Sequence, residues 1–231
     1  SDGVIRTVPG GSAAFLRDIE AWHAAGDKVN NADVVLAVTL VSHSASTTNA
    51  ANGTSTAPRL LWVPNPSFNP TSSITAAATN PIGTLYVAFQ STATDLVGSD
   101  TNGAQDVFRA AVELRAEEDA SGTPTAGSLN LRAAGGSTIL VSAQDGGTAV
   151  ANGVSGRPSI GGAQGQLITF ESVATDLVTA FTDTNGTSAN DVYLRDTSIN
   201  QTTLISHSVG NATTGGTGES AAPSIDVTGV V

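Results

Sequence analysis

Phe89-x-Ser91-x-Ala93-Thr94-Asp95-Leu96-Val97, followed by Asp100-Thr101-Asn102-Gly103 and then Asp106-Val107, decides how this chain is read, because it is written twice. The second copy runs Phe170, Ser172, Ala174, Thr175, Asp176, Leu177, Val178, then Asp183, Thr184, Asn185, Gly186, then Asp191, Val192. Self-similarity of this kind marks a chain built as an array of one supersecondary unit.

A companion stretch, Leu-Val/Ile-Ser followed by Gly-x-Ser-x-x-Pro, occurs three times. The copies are Leu40, Val41, Ser42 with Gly53, Ser55, Pro58; Leu140, Val141, Ser142 with Gly153, Ser155, Pro158; and Leu204, Ile205, Ser206 with Gly218, Ser220, Pro223. Pro158 to Pro223 spans 65 positions, whereas Pro58 to Pro158 spans 100. The excess sits in two connections. Pro58 to Phe89 takes 31 positions against 12 in the later copy, and Asp106 to Leu140 takes 34 against 13. A constant core with insertions at 59–80 and 109–136 is how repeats diverge.

Short β-branched or aromatic runs bounded by Gly, Asn, Asp and Pro read as strands. They are Leu85–Phe89, Asp106–Phe108, Ile139–Ser142 and Arg157–Ile160, with equivalents at Leu167–Phe170, Asp191–Leu194, Thr203–Ser206 and Pro223–Ile225. Four strands in about 60 residues fit one propeller blade. The expected fold is all-β, a β-propeller-type array of about three four-stranded blades. The boundaries are 1–58 for a degenerate first blade, 59–158 for a second carrying both insertions, 159–223 for a third, and 224–231 for the start of a further one. In the first blade Asp27 and Asp33 keep the spacing of Asp100 and Asp106, but Val29-Asn30 replaces Asn-Gly. Before it, 12–25 reads as a short helix, with Phe15, Leu16, Ile19 and Trp22 on one face, Ser12 as its cap and Gly26 as its stop. That face is either an ordinary decoration of the blade or a docking element with Trp22 as its anchor.

The Ala-Thr-Asp-Leu-Val, Asp-Thr-Asn-Gly, Asp-Val-Phe/Tyr and Pro-Ser-Ile stretches together resemble the TolB-like and WD40-like (PD40) β-propeller repeat family, in the long variant of bacterial surface proteins. The likeness covers most of 81–225, part of 27–58 and hardly any of 1–26. Ser99 and Thr182 stand where that variant has Gly. The resemblance implies a propeller that serves as an exported scaffold. Both chain ends, Ser1–Ile5 and Asp226–Val231, look like the turn and inner strand that follow Pro-Ser-Ile. Closed propellers take 4–8 blades. Completion by further chain or by a protein partner is therefore expected, since open sheet edges invite pairing.

Composition narrows the function. The chain of 231 residues has a net charge of −11, nine Lys and Arg together, and no Cys or Met. Nucleic-acid binding is disfavoured, because phosphate neutralisation needs clustered cations. Disulfides and thiolate chemistry are excluded. No stretch approaches the ~20 apolar residues of a membrane-spanning helix. The acidic, Thr/Ser/Gly-rich balance suits a bacterial cell-surface, periplasmic or extracellular protein, and the missing Met suggests processing or a longer parent chain.

Candidate chemistry concentrates in the two turns. Asp100, Asn102 and Asp106, and again Asp183, Asn185 and Asp191, place oxygen side chains close together around a glycine, the ligand type a hard cation such as Ca²⁺ takes, although the Gly comes too early for an EF-hand loop and its terminal Glu is missing. The competing reading is a capped turn, with Asp accepting backbone N–H groups and Asn-Gly at positive φ. Asp95 and Asp176 recur before Leu-Val and read as loop anchors. His23, His43 and His207 lack metal spacing, and no Gly-x-Ser-x-Gly elbow appears. In the insertions Trp62 and Phe68 are aromatic anchors for a partner or for the blade itself. The leading expectation is a non-catalytic, protein-interacting subunit of a larger surface or membrane-associated assembly, without a cofactor. The rivals are a calcium-dependent glycan- or protein-binding module and the propeller domain of a hydrolase or lyase.

Overall fold

The computed structural model describes residues 41–46, 50–67, 81, 83–118, 124–133 and 138–231. The 12–25 helix, Trp22 and Phe68 lie outside them. Among the described residues all regular structure is β. The strands are β1 (Ser55–Pro64), β2 (Gly83–Ser91), β3 (Asp106–Glu118), β4 (Pro124–Ala133), β5 (Ile139–Leu140), β6 (Ser155–Gly161), β7 (Leu167–Ser172), β8 (Asp191–Asp196) and β9 (Gln201–Leu204).

They form two sheets. One has the order β1-β2-β3-β4 with β5 also paired to β3; the other is β6-β7-β8-β9. The pairs β3–β4, β3–β5, β6–β7, β7–β8 and β8–β9 are antiparallel. Register maps the copies onto one another. Phe108 pairs with Leu140, as Tyr193 pairs with Leu204. Thus β1, β2, β3 and β5 repeat as β6, β7, β8 and β9, and β4 is the additional strand. The same aromatic pair fills both cores: Phe89 stacks on Phe108 at 5.9 Å, and Phe170 on Tyr193 at 5.8 Å. Pairs in this range add to the burial of their apolar area.

Among the described residues, 59–64, 109–118 and 124–133 of the two insertions are strand where connections were expected. Residues 59–64 continue β1, and 109–118 continue β3, which turns back as β4 with Val112 opposite Ala133 and Leu114 opposite Leu131. Alternation explains this: Val112, Leu114 and Ala116 alternate with Glu113, Arg115 and Glu117, the period of a pleated strand. The chain divides into two compact units. Residues 60–86 and 111–137, with 1–41, make one; 42–59, 87–110 and 138–231 make the other. Both insertions therefore fall in the same unit. Within it Trp62 is 5% exposed. Its ring occupies the space where a side chain on Gly83 would stand, so glycine is required there.

Pro223–Ile225, expected as a strand, forms no ladder. It is still held in place: the Ile225 N–H donates to Ser159 Oγ at 3.2 Å, the Gly162 N–H donates to Asp226 O at 3.3 Å, and Ile225 is buried.

The residue before each repeat proline has positive φ: Ala57 at 52°, Arg157 at 49° and Ala222 at 55°. Non-glycine residues rarely adopt this conformation. In the second sheet it coincides with a register shift between Gly156 and Ser159, a bulge in β6. A conformation reproduced at three equivalent positions belongs to the repeat itself.

Candidate functional site

The repeated residues work in two sets. The first closes each sheet's loops. Ser91 Oγ donates to Thr54 O and accepts from Ala93 N–H and Ser55 Oγ; Ser172 does the same with Val154, Ala174 and Ser155, all within 2.9–3.1 Å. Asn52 N–H donates to Asp95 Oδ1 and Asn52 Nδ2 to Thr94 Oγ1; Asn152 repeats both bonds on Asp176 and Thr175. Asp95 and Asp176 thus hold backbone. Gly53 and Gly153 lie so close to the backbone of Ala93 and Ala174 that an added Cβ would come within 2.4 and 2.8 Å.

The second set joins one copy to the next. Asn102 Nδ2 donates to Ala151 O at 2.8 Å, Ser155 N–H to Gln105 O at 2.8 Å, and Arg157 N–H to Gln90 Oε1 at 2.8 Å. One repeat later, Asn185 Nδ2 donates to Gly218 O at 3.1 Å, Ser220 N–H to Asn190 O at 2.9 Å, and Ala222 N–H to Glu171 Oε1. These bonds hold each Gly-x-Ser-x-x-Pro lead-in on the preceding sheet.

The two Asp-Thr-Asn-Gly turns differ. In the later one, Asp183 Oδ1 accepts from the N–H groups of Asn185 and Gly186 at 3.0 and 2.9 Å, an Asx turn, and Gly186 takes φ 92°. In the earlier one Gly103 takes φ 67°, but the Asx acceptor is Asn102, whose Oδ1 receives Ala104 N–H at 2.7 Å. Asp100 is left 5% exposed, and neither carboxylate oxygen has a hydrogen-bond partner. Burial raises its pKa; the Asn102 backbone N–H, short of hydrogen-bond geometry, partly offsets this.

Asp106 and Asp191 start equivalent strands. Ser142 Oγ donates to Asp106 Oδ1 at 2.6 Å and accepts from Val107 N–H; Ser206 Oγ donates to Asp191 Oδ1 at 2.8 Å and accepts from Val192 N–H. Asp106 is fully buried, and its Oδ2 has no partner. Burial, reinforced by the nearby Asp100 charge against lowering by Ser142 and Asn102, pushes its pKa up to about 6. Burial also raises Asp191, with the Asp183 charge adding to it and Ser206 and Asn185 opposing. Among the described residues no group of three His, Cys, Asp or Glu side chains is placed to hold a metal.

A cleft of about 410 Å³ is lined by Val97, Arg109, Leu140, Arg195, Thr197 and Asn200 among others. Arg195, 1% exposed, was not singled out by sequence. It donates to the backbone oxygens of Gln144, Gly147 and Asn200, to Asn200 Oδ1 and to Thr202 Oγ1. One cation among nine, near the end of β8 directly after Val192, Tyr193 and Leu194, was the available signal. His43 and His207 each bond through Nδ1 to the carbonyl of the following residue, Ser44 at 2.9 Å and Ser208 at 3.0 Å.

What fold and site define, among the described residues, is an all-β architecture of two antiparallel sheets built from an internal repeat. Comparison with protein-family models, with curated proteins and with solved structures finds no match. Among the described residues no helix is long and apolar enough to cross a membrane.

Proposed function

We propose that the chain is a β-propeller-type repeat scaffold, exported to the bacterial surface, the periplasm or the extracellular space. It works without catalysis, as a structural subunit that presents loops and sheet edges to other proteins. The observation that carries this reading is the repeated copy-to-copy join: Asn102, Gln105 and Gln90 hold one lead-in, and Asn185, Asn190 and Glu171 hold the next. A join that repeats in kind adds copies in series, as blades do. The final lead-in keeps its geometry, with Ala222 at φ 55°, yet nothing lies within 4 Å of the Cβ position of Gly218, the place Ala93 and Ala174 take in the earlier copies. That open position is where another protein segment would pack.

Intact mass and light scattering on the native protein test the reading. The expected result is a particle larger than the 23.0 kDa of this chain. Gly218→Trp is expected to shrink it while leaving the thermal midpoint unchanged. A monomer that turns over hydrolase or lyase substrates would overturn the proposal.

A further inference from the structure

The earlier Asp-Thr-Asn-Gly turn contains a feature that a scaffold does not need. Three carboxylate oxygens, Asp100 Oδ1, Asp100 Oδ2 and Asp106 Oδ2, are buried with no partner at hydrogen-bond geometry, and only Asn102, through its backbone N–H toward Asp100 and its side chain toward Asp106, partly offsets their burial. Leaving a carboxylate dry and unpaired is among the most costly arrangements in a protein interior. The two groups also sense one another, since the Asp100 charge acts on Asp106. Two carboxylates sharing a buried place either keep a proton between them or hold a cation.

We propose that Asp100 and Asp106 are ligands of a divalent cation of the Ca²⁺ class, and that the equivalent turn at Asp183 and Asp191 is not a cation site. The donor set is all hard oxygen, which suits Ca²⁺. Asn102 is a positioning residue rather than a ligand, because its amide is engaged on both sides: Nδ2 donates to Ala151 O and Oδ1 accepts from Ala104 N–H. Ser142 likewise fixes Asp106 through Oδ1 and leaves Oδ2 for the ion. In the later turn Asp183 spends its Oδ1 on two backbone N–H groups, and the buried oxygen without a partner there belongs to a neutral amide, Asn185 Oδ1. With two protein carboxylates, the rest of the shell falls to carbonyl groups and water. The affinity expected is that of weak extracellular sites, roughly 0.1–1 mM.

The test is calorimetric titration of the chelator-stripped full chain with CaCl₂ at neutral pH, alongside thermal unfolding in Ca²⁺ and in EDTA. One Ca²⁺ per chain and a raised midpoint are expected. Asp100→Asn should weaken binding at least tenfold, and Asp106→Asn, which keeps an acceptor for Ser142, should do the same. Asp183→Asn should leave binding unchanged. Absence of both heat and midpoint shift in the wild-type chain would overturn the proposal, leaving a shared proton or a buried water at the turn. So would two ions per chain, or loss of binding in Asp183→Asn. The wild-type titration decides even if a variant fails to fold, and its outcome is independent of the particle mass.

Discussion

The two Asp-Thr-Asn-Gly turns share four identical residues and end in different chemistry. Two residues separate Val97 from Asp100, and four separate Val178 from Asp183. In both copies the chain turns three residues after the valine: Asp100 N–H bonds to Val97 O and Phe181 N–H to Val178 O. The place that receives a carboxylate in one copy therefore receives a phenyl ring in the other, where Phe181 meets Tyr193 edge-on at 6.2 Å. Asp183 is displaced outward and becomes a turn cap. Loop length, more than motif, decides whether this aspartate is buried or bonded.

The largest effect that separates the copies is expected at Arg195. It stands two residues after Tyr193, where the earlier copy has Ala110 after Phe108. Its guanidinium is fully enclosed and donates to five oxygens. Arg195→Ala would leave those acceptors dry, and each buried acceptor that water does not reach costs roughly 1–3 kcal/mol. Chemical denaturation should show that loss, while Ala110→Gly should cost much less.

Proton binding gives the next test. Asp106 and Asp191 both have raised pKa values, and Asp106 moves from 3.8 to about 6. The folded chain then holds a proton more tightly than the unfolded chain. In EDTA, the Asp106 contribution is most favourable at and below the ordinary carboxylate range and is lost as pH rises toward 6. Its size is on the order of 3 kcal/mol. Carboxyl-carbon NMR should show Asp106 titrating near 6. Asp106 titrating at its ordinary value would remove the burial argument for the earlier turn.

The repeat was legible because identical residues recur, and it located β2 and β5 to β9 to within a few residues and the start of β3, whose end lies ten residues beyond the expected Phe108. The strand character of the insertions was obscured by treating added length as loop, although the alternation around Val112 and Leu114 was present. The contrast between Asp100 and Asp183 could not be read from the motif. It arises from a two-residue difference in spacing whose result depends on which side chain reaches the interior. Arg195 was invisible for a similar reason, since its acceptors are mostly backbone oxygens, which sequence does not advertise.

Glycine substitutions sharpen the comparison among the three lead-ins. Gly53→Ala and Gly153→Ala place a Cβ against the backbone of Ala93 and Ala174, where flexible side chains cannot give way. Each is expected to cost about 1–3 kcal/mol. Gly218→Ala meets no atom of its own chain within 4 Å and, in the unassembled chain, should stay within about 0.5 kcal/mol of wild type. Thermal unfolding of the three variants in parallel measures this. An equal loss at Gly218 would mean that its surroundings are as closed as those of the other two.

The smallest expected effect is the most diagnostic for the turns. Asp183→Ala removes one acceptor from two partly exposed backbone N–H groups, which water can replace in part. A loss of about 1 kcal/mol is expected, with or without Ca²⁺. Asp100→Asn in EDTA exchanges a buried carboxyl for an amide of the same shape and loses only the weak approach of the Asn102 backbone N–H, so it should be neutral or slightly stabilising. In Ca²⁺ the order reverses, because Asp100→Asn forfeits the stabilisation the ion supplies by mass action. If both substitutions cost the same in EDTA and neither responds to Ca²⁺, the two turns are equivalent in solution. The burial difference between Asp100 and Asp183 would then have no chemical consequence.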